Sequence, residues 1–470
     1  MVSIQEKAVP VSGFQYLPAP MGASESRSPN QQLLPLTARV NELDHLEIGG
    51  CDVVTLVQQF RSPLYILDED TFRSGCRQYR EAFARYYPGE FLVLYASKAW
   101  NCLAICAIAA SEGLGIDVVS GGEVYTALQA GVKPGKIYFH GNNKSQEELR
   151  FAVASGCTVV VDNWLELRTL AAMTADEPIR IMVRFTPGIE CHTHEYIRTG
   201  HLDSKFGFDP DQVEEVFRFI SAQPSLTCCG IHAHIGSQIF ELQPHTDLAG
   251  VLVQWLVLAR ECGLELTELN VGGGLGIRYT EADDPPSIDE WVKRVSVGVA
   301  SACEARQLPL PKLLCEPGRS LIGPACVTAY TVGSQKTIPD IRTYISIDGG
   351  MSDNPRPITY QSSYRSVVAN QMSAPLTENV TIAGKHCESG DILIKDAQLP
   401  LTAAGDILVV MATGAYNYSM ASNYNRLPRP AAVLVRDGEA NLFLQRETYE
   451  DLIRHDRLPE RLIAPELPQG

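Results

Sequence analysis

No apolar run in this 470-residue chain approaches the roughly 20 residues a bilayer-spanning helix needs, so no such span is expected. The opening residues, MVSIQEKAVPVSGF, have no basic stretch followed by an apolar one, and no secretory signal is expected. CxxC pairs are missing, and His192 and His194 have no second cluster to complete a set, so no metal is assigned. Positive charge is also short. The chain has 39 Lys and Arg against 55 Asp and Glu, a formal charge of −16, which argues against nucleic acid or an anionic membrane as partner. The 13 cysteines are odd in number, scattered and mostly set among apolar residues, as in AWNCLAICAIAA. Reduced thiols in a cytoplasmic protein are therefore expected, with a plastid stroma as the alternative.

What the chain does have is a soluble composition, 45% hydrophobic and 20% charged, and a length too great for one ordinary core. Residues 1–30 are rich in Pro, Ser, Gly and Gln without periodicity and read as a flexible extension. Residues 31–70 are mixed, with PLYILDED as a strand. A rhythm then sets in. FLVLYAS, LGIDVVS, KIYFHG, CTVVVDN, IRIMVRFT, CCGIHAHIG, LTELNVGG and KLLCEPG alternate with amphipathic stretches such as SQEELRFAVASG, where Ser145 and Glu148 form a capping box. Eight alternations over this length predict an α/β fold with a (β/α)8 barrel over 71–325. Beyond it the sequence turns β-rich, and 31–70 with 326–470 are assigned to a second domain, a β-sandwich or barrel-like unit.

The strand exits matter most, because a parallel barrel gathers its functional groups there. In order they are Lys98, Ser120–Glu123, His140–Asn142, Asp162 and Asn163, Arg184, His234 with Ser237, Gly272–Gly274, and Glu316 with Arg319. Lys98 ends the apolar run of FLVLYASKAWN, where an ammonium is costly to bury; a solvated lysine is the ordinary alternative. The glycines of GGGLG suit a phosphate held by backbone N–H groups. A dinucleotide fingerprint would need a helix directly afterwards, and IRYTEADDPPSID intervenes; a turn without a ligand is the other reading. In CEPGR, Glu316 could face a pyridine nitrogen and Arg319 a carboxylate, or the two could pair with each other. Of His232 and His234 in HAHIGSQ, one is expected inside the barrel and the other packed outward. Cys387 and Glu388 of GKHCESGDIL lie in a polar loop, unusual for a structural cysteine; either the thiol is incidental or it moves a proton.

YASKA, DVVSGGE, HGNNKS, SKFGF, HAHIGSQ, NVGGGLG, CEPGR, DGGMSDNPRPITY, HCESGD and GAYNYSM together resemble the diaminopimelate decarboxylases, in matching order from about residue 60 to about 432. The resemblance implies pyridoxal 5′-phosphate on an alanine-racemase-like barrel. It implies that Lys98 binds the cofactor covalently, its pKa depressed by desolvation, that His234 stacks on the ring, and that Glu316 pairs with the ring nitrogen. Gly272, Gly273, Gly274, Ser237, Gly318, Arg319 and Tyr416 would surround the cofactor. Arg319, Arg356 and Tyr360, with Tyr416 nearby, would grip the distal carboxylate of the substrate, and Glu388 its distal ammonium. Cys387 would be the proton donor. Because Cys387 and Glu388 serve the neighbouring subunit in this family, an obligate homodimer is implied. The reaction implied is decarboxylation of meso-2,6-diaminopimelate at its D centre to L-lysine, the last step of lysine biosynthesis.

The sequence departs from the family pattern in its first 30 to 45 residues, which have no matched counterpart, and in the small residues ahead of Arg356. The rivals are an ornithine, arginine or carboxynorspermidine decarboxylase, which has less use for Arg319, Arg356 and Tyr360, and a racemase, which shares the lysine but not these motifs. A non-catalytic binding homologue would have lost Lys98 or Cys387.

Overall fold

A computed structural model of the chain describes residues 11–18, 27–173, 175, 177–189 and 204–462. All eight expected strands form and close into a parallel barrel. They are β1 (Phe91–Ala96), β2 (Gly115–Val118), β3 (Ile137–Phe139), β4 (Thr158–Val161), β5 (Ile179–Arg184), β6 (Leu226–His232), β7 (Glu268–Asn270) and β8 (Lys312–Cys315). Helices cover the outside and side chains fill the inside, so β2, β3 and β4 are buried at every position. This two-sided burial is why they read as continuous apolar runs and not as alternating ones.

Two ends of the barrel differ. At the strand starts, Glu268 accepts from the Tyr138 hydroxyl at 2.8 Å and pairs with Arg180 at 2.8 Å and Lys312 at 3.4 Å. Above this polar floor Leu92, Leu94, Tyr138, Val160, Met182, Cys229 and Leu314 plug the interior. The strand exits at the other end remain open for chemistry.

The helix Glu69–Tyr86 precedes β1 and packs beside Ile288–Ala305, where Tyr79 meets Trp291 edge-on at 5.9 Å. On its other side Arg73 donates to Ser111 at 2.9 Å and to Glu112 at 2.8 Å. It completes the outer ring where β8 is followed only by the short helix Arg319–Ile322. The capping box of Ser145 and Glu148 is present at the start of Gln146–Ala154.

After the barrel, the long strand Cys326–Ile338 forms the axis of a mixed sheet, pairing with Leu64–Asp68, Arg342–Ile347 and Ile407–Val410. Leu64–Asp68 also runs parallel to Ala431–Arg436, so chain from before and after the barrel builds one sheet. The stretch read as a flexible extension is partly packed. Gly13–Tyr16 and Pro29–Gln31 form 3-10 turns, and Asn30 is wholly buried. Residues 1–10 and 19–26 lie outside the described part, as do His192 and His194. No helix among the described residues is long and apolar enough to cross a membrane.

The register between β5 and β6 shifts at Cys228–Gly230, where a Cβ on Gly230 would lie 2.1 Å from the Glu268 carbonyl oxygen. Backbone cannot yield as a side chain does, so Gly230→Ala should destabilise the barrel by about 2 kcal/mol or more. A thermal melt checks this, and a melting temperature equal to that of the parent would contradict it.

Candidate active site

The strand exits surround a cavity of about 820 Å³, lined among others by Lys98, His140, His234, Arg319, Arg356 and Tyr416. Lys98 sits in the 3-10 turn Ser97–Ala99 directly after β1, its side chain 43% exposed within the cavity. Its Nζ lies 3.0 Å from Oδ2 of Asp117, itself 1% exposed on the neighbouring strand β2. Burial pulls the ammonium pKa down, but Asp117, Tyr416 and Glu316 outweigh it and hold the pKa above the ordinary lysine range. The expected depression is therefore reversed, because desolvation acts against a buried carboxylate in contact.

Glu316 follows β8 and is buried. Its carboxylate is bonded to His232 Nε2 at 3.0 Å and accepts from Asn270 Nδ2 at 2.6 Å, and His140 Nε2 lies 2.8 Å away. Burial alone would raise its pKa, yet the two imidazoles hold it well below the usual carboxylate range. Burial brings His232 down to about 4, so a neutral ring donates to an ionised carboxylate. His140, His232 and Glu316 offer ligand atoms within 4.8 Å of one another, but the two ring nitrogens are already directed at the carboxylate. The possible Glu316–Arg319 pair of CEPGR is not formed; each side chain has other partners.

His232 and His234 both line the cavity, which corrects the expectation that one packs outward. Positions two apart in a strand share a face, and β6 ends at His232, so His234 leaves on the rim beside it. Its Nδ1 accepts the Gly273 N–H at 3.2 Å, and burial, Lys98 and Arg184 keep its pKa well below the ordinary range. The glycine turn follows β7. A Cβ would lie 2.8 Å from His234 Nδ1 at Gly272 and 2.3 Å from the Glu316 carbonyl at Gly273, and Gly272 and Gly274 have φ of +67° and +118°. Only glycine satisfies both the close approach and the left-handed backbone.

Beyond the turn, two buried arginines share one acceptor. Arg319 Nη1 and Arg356 Nη1 each donate to the Tyr279 hydroxyl at 2.8 Å. Arg319 Nη2 also donates to Ser237 at 2.9 Å, and Arg356 Nη1 to Tyr364 at 2.8 Å. Burial favours a protonated Tyr279, but the two guanidiniums pull its pKa below the ordinary phenol value. Tyr360 lines the same wall, its ring centroid 6.0 Å from the Arg356 guanidinium. Tyr416 sits at φ +68°, rare for a non-glycine residue, with its N–H on the Ala99 carbonyl at 2.7 Å and its ring 4.8 Å from the Arg319 guanidinium. Gly318 packs against Ala96, where an added Cβ would lie 3.0 Å from the alanine Cβ.

Cys387 and Glu388 do not join this constellation. Both are exposed and neither lines the cavity. Their loop is anchored by the buried pair His386 Nδ1–Asp391 Oδ2 at 2.6 Å and by the Cys387 N–H on Asn425 Oδ1 at 2.8 Å. Sequence reasoning missed Asp117, Asn270, Tyr279 and Tyr364. Asp117 and Asn270 carried a signal, as polar residues inside the apolar runs GIDVVS and LTELNV; the two tyrosines carried none.

Residues 69–323 match the family profile of the pyridoxal-dependent decarboxylase, pyridoxal binding domain. The chain is 64% identical over 469 residues to a diaminopimelate decarboxylase of Synechocystis sp., a match covering 98% of this chain and 99% of the relative. It is 45% identical over 427 residues to the diaminopimelate decarboxylase of Bacillus subtilis, covering 89% of this chain and 97% of the relative. The crystal structure of diaminopimelate decarboxylase from M. jannaschii in co-complex with L-lysine aligns with a TM-score of 0.85 at 32% identity, over 93% of this chain and 100% of that one. In the Synechocystis relative the N-terminal stretch does have a counterpart, since a match over 98% of the chain includes most of it.

Burial also lowers His245, packed edge-on against Trp291 at 5.3 Å, to about 4. Between that value and the unfolded value of about 6.5, the unfolded chain binds a proton that the folded chain refuses. Stability is then fully present above pH 6.5 and is lost as the pH falls toward 4, by up to about 3 kcal/mol for such a group. A His245→Phe variant should lose correspondingly less stability than the parent over this range in denaturant titrations. Parallel losses would contradict the assignment.

Proposed function

The chain belongs to the diaminopimelate decarboxylases, a family of pyridoxal-dependent decarboxylases, and from that premise we propose how its own residues carry the reaction. The reaction releases CO2 from the D centre of meso-2,6-diaminopimelate and leaves L-lysine. One observation carries the substrate reading: Arg319 and Arg356 are buried, face the cavity and bond to hydroxyls, with no carboxylate of the described residues in salt-bridge contact. Two buried cations without a counter-charge are a place for a carboxylate from the substrate.

Pyridoxal phosphate, when bound, supplies an electron sink for the pair left on the α-carbon as CO2 departs. The residues fit it in three ways. An amine, Lys98, and a buried carboxylate, Glu316, share one cavity, and the turn between them excludes any Cβ. Lys98 would bind the cofactor through Nζ, and Asp117 at 3.0 Å holds and orients the ammonium in the cavity beforehand. Glu316, kept ionised by the two imidazoles and Asn270 around it, would hold a proton on the ring nitrogen. His234 is neutral, so its ring would stack without adding a competing charge. Gly272, Gly273, Gly274, Ser237, Gly318, Arg319 and Tyr416 would bind the phosphate end, through backbone N–H groups and hydroxyls.

At the far end Arg319, Arg356, Tyr360 and Tyr416 would hold the distal carboxylate. Glu388 would meet the distal ammonium and Cys387 would give the proton that replaces CO2. Both are exposed outside the cavity of their own chain, which supports a homodimer whose subunits complete each other's sites. A cytoplasmic setting is supported by the described cysteines, all free thiols.

The substrate assignment is tested by CO2 release from the holoenzyme offered meso-diaminopimelate, LL-diaminopimelate, L-ornithine and L-arginine. Turnover of the meso isomer alone is expected, and Arg356→Ala should raise its KM about 30-fold or more, as loss of a charged hydrogen bond does. Preferred turnover of ornithine or arginine would overturn the assignment. The shared site is tested by mixing two inactive variants, Lys98→Ala and Cys387→Ala. Random reassortment into dimers should restore about a quarter of parental activity; no recovery after verified subunit exchange would contradict it.

A further inference from the structure

Tyr279 lies on the connection from the glycine turn to the helix Ile288–Ala305, in the stretch GIRYTEADDPP. On the cavity side Gln238 brackets this stretch, accepting the Ile277 N–H at 3.1 Å and donating to the Ile277 carbonyl at 2.7 Å. From outside it is held by the N-terminal segment. Asn30 Nδ2 donates to the carbonyls of Gly276 at 3.0 Å and Pro286 at 2.9 Å, the two ends of the connection. The Asn30 carbonyl accepts the Arg278 N–H at 2.9 Å, one residue before Tyr279. Its neighbours add Gln31 Nε2 to Pro285 O at 3.0 Å and the Ile288 N–H to Ser28 Oγ at 2.9 Å. A second anchor lies further out. Tyr16 is buried against Glu281, and burial with that carboxylate pushes its pKa up to about 12. Glu281 in turn takes Arg365 Nε at 2.7 Å, and Arg365 lines the cavity.

We propose that the N-terminal segment is a strut for substrate recognition: Asn30, with Tyr16 as second anchor, positions Tyr279 and thereby sets the spacing of Arg319 and Arg356. The proposal rests on the reading that these arginines grip the distal carboxylate. The physical case is one of precision. Two like charges converge on one hydroxyl at 2.8 Å each, so a shift of the Tyr279 backbone lengthens both bonds and lets the guanidiniums move apart. Asn30 is bonded at both ends of the connection and next to the tyrosine, where a small displacement is felt most directly. Asn30 touches no substrate and is a positioning residue. The segment accordingly belongs to the distal pocket, although it lies at the far end of the sequence from Arg319 and Arg356.

The test compares holoenzyme variants Asn30→Ala and Tyr16→Phe with the parent, using two competitive inhibitors of meso-diaminopimelate turnover. L-Lysine keeps the distal carboxylate; 1,5-diaminopentane lacks it. In Asn30→Ala the KM and the L-lysine inhibition constant should rise together by about tenfold, and in Tyr16→Phe by about threefold, as expected for losing buried hydrogen bonds. In both, kcat, cofactor content and inhibition by 1,5-diaminopentane should stay within about twofold of the parent. If Asn30→Ala does not fold, Gln31→Ala, which removes the 3.0 Å bond to the Pro285 carbonyl, decides in its place with the same expected pattern at about threefold. Unchanged KM in the folded variants, or equal weakening of both inhibitors, would overturn the proposal. A parent enzyme that binds both inhibitors equally would instead sink the underlying reading of the arginines.

Discussion

The buried carboxylate of Glu316 is the constraint on which the rest of the site depends. Stripping water from an isolated carboxylate costs several kcal/mol, and the bonds to His232 and Asn270 with His140 close by offset it here. His140 follows β3, His232 ends β6, Asn270 ends β7 and Glu316 follows β8. Residues so far apart in sequence meet only when the barrel closes, so the closed sheet is what keeps this group ionised once it is buried. The same closure brings Lys98 beside Asp117, because Ala96 and Asp117 are register partners between β1 and β2. The cavity thus has one buried, ionised acid at its ring end and one lysine whose proton is held by another acid.

The opposite end has the reverse polarity. Arg319 and Arg356 share the Tyr279 hydroxyl, and Tyr364 meets Tyr279 edge-on at 5.3 Å. A substrate bearing a carboxylate at each end needs this asymmetry: one carboxylate is lost and the other only anchors. Holding the retained carboxylate with bidentate-capable, pre-positioned guanidiniums orients the reacting centre at the other end of the molecule. The two halves of the fold divide the work. The barrel supplies Lys98, Glu316 and Arg319, while Arg356, Tyr364 and Tyr416 come from the region after it, where the sheet domain packs across the barrel mouth.

Much of this was legible in the sequence for a definite reason. Strands buried on both faces read as uninterrupted apolar runs with polar exits, and all eight were visible together with Lys98, Glu316 and the glycine turn. Asp117 was less so, since its partner is set by strand register. Tyr279 and Tyr364 could not be found, because their role is defined only by two arginines, distant in sequence, that converge in space. The shared face of His232 and His234 follows from their spacing of two and is itself carried by the sequence. The N-terminal segment looked disordered because its hold is on backbone carbonyls and one buried amide, which leave no periodic apolar pattern. The raised pKa of Lys98 was missed with Asp117, whose charge reverses the effect of burial.

The most direct test of the central claim is the kcat of a Glu316→Gln holoenzyme on meso-diaminopimelate. The substituted amide could accept from Asn270 through its oxygen and donate to His232 Nε2 once that ring carries its proton on Nδ1, but it cannot hold the ring nitrogen protonated. The account predicts a fall in kcat of about a hundredfold or more with KM nearly unchanged, the signature of an interaction made chiefly in the transition state. A kcat near that of the parent, with cofactor bound, would contradict it.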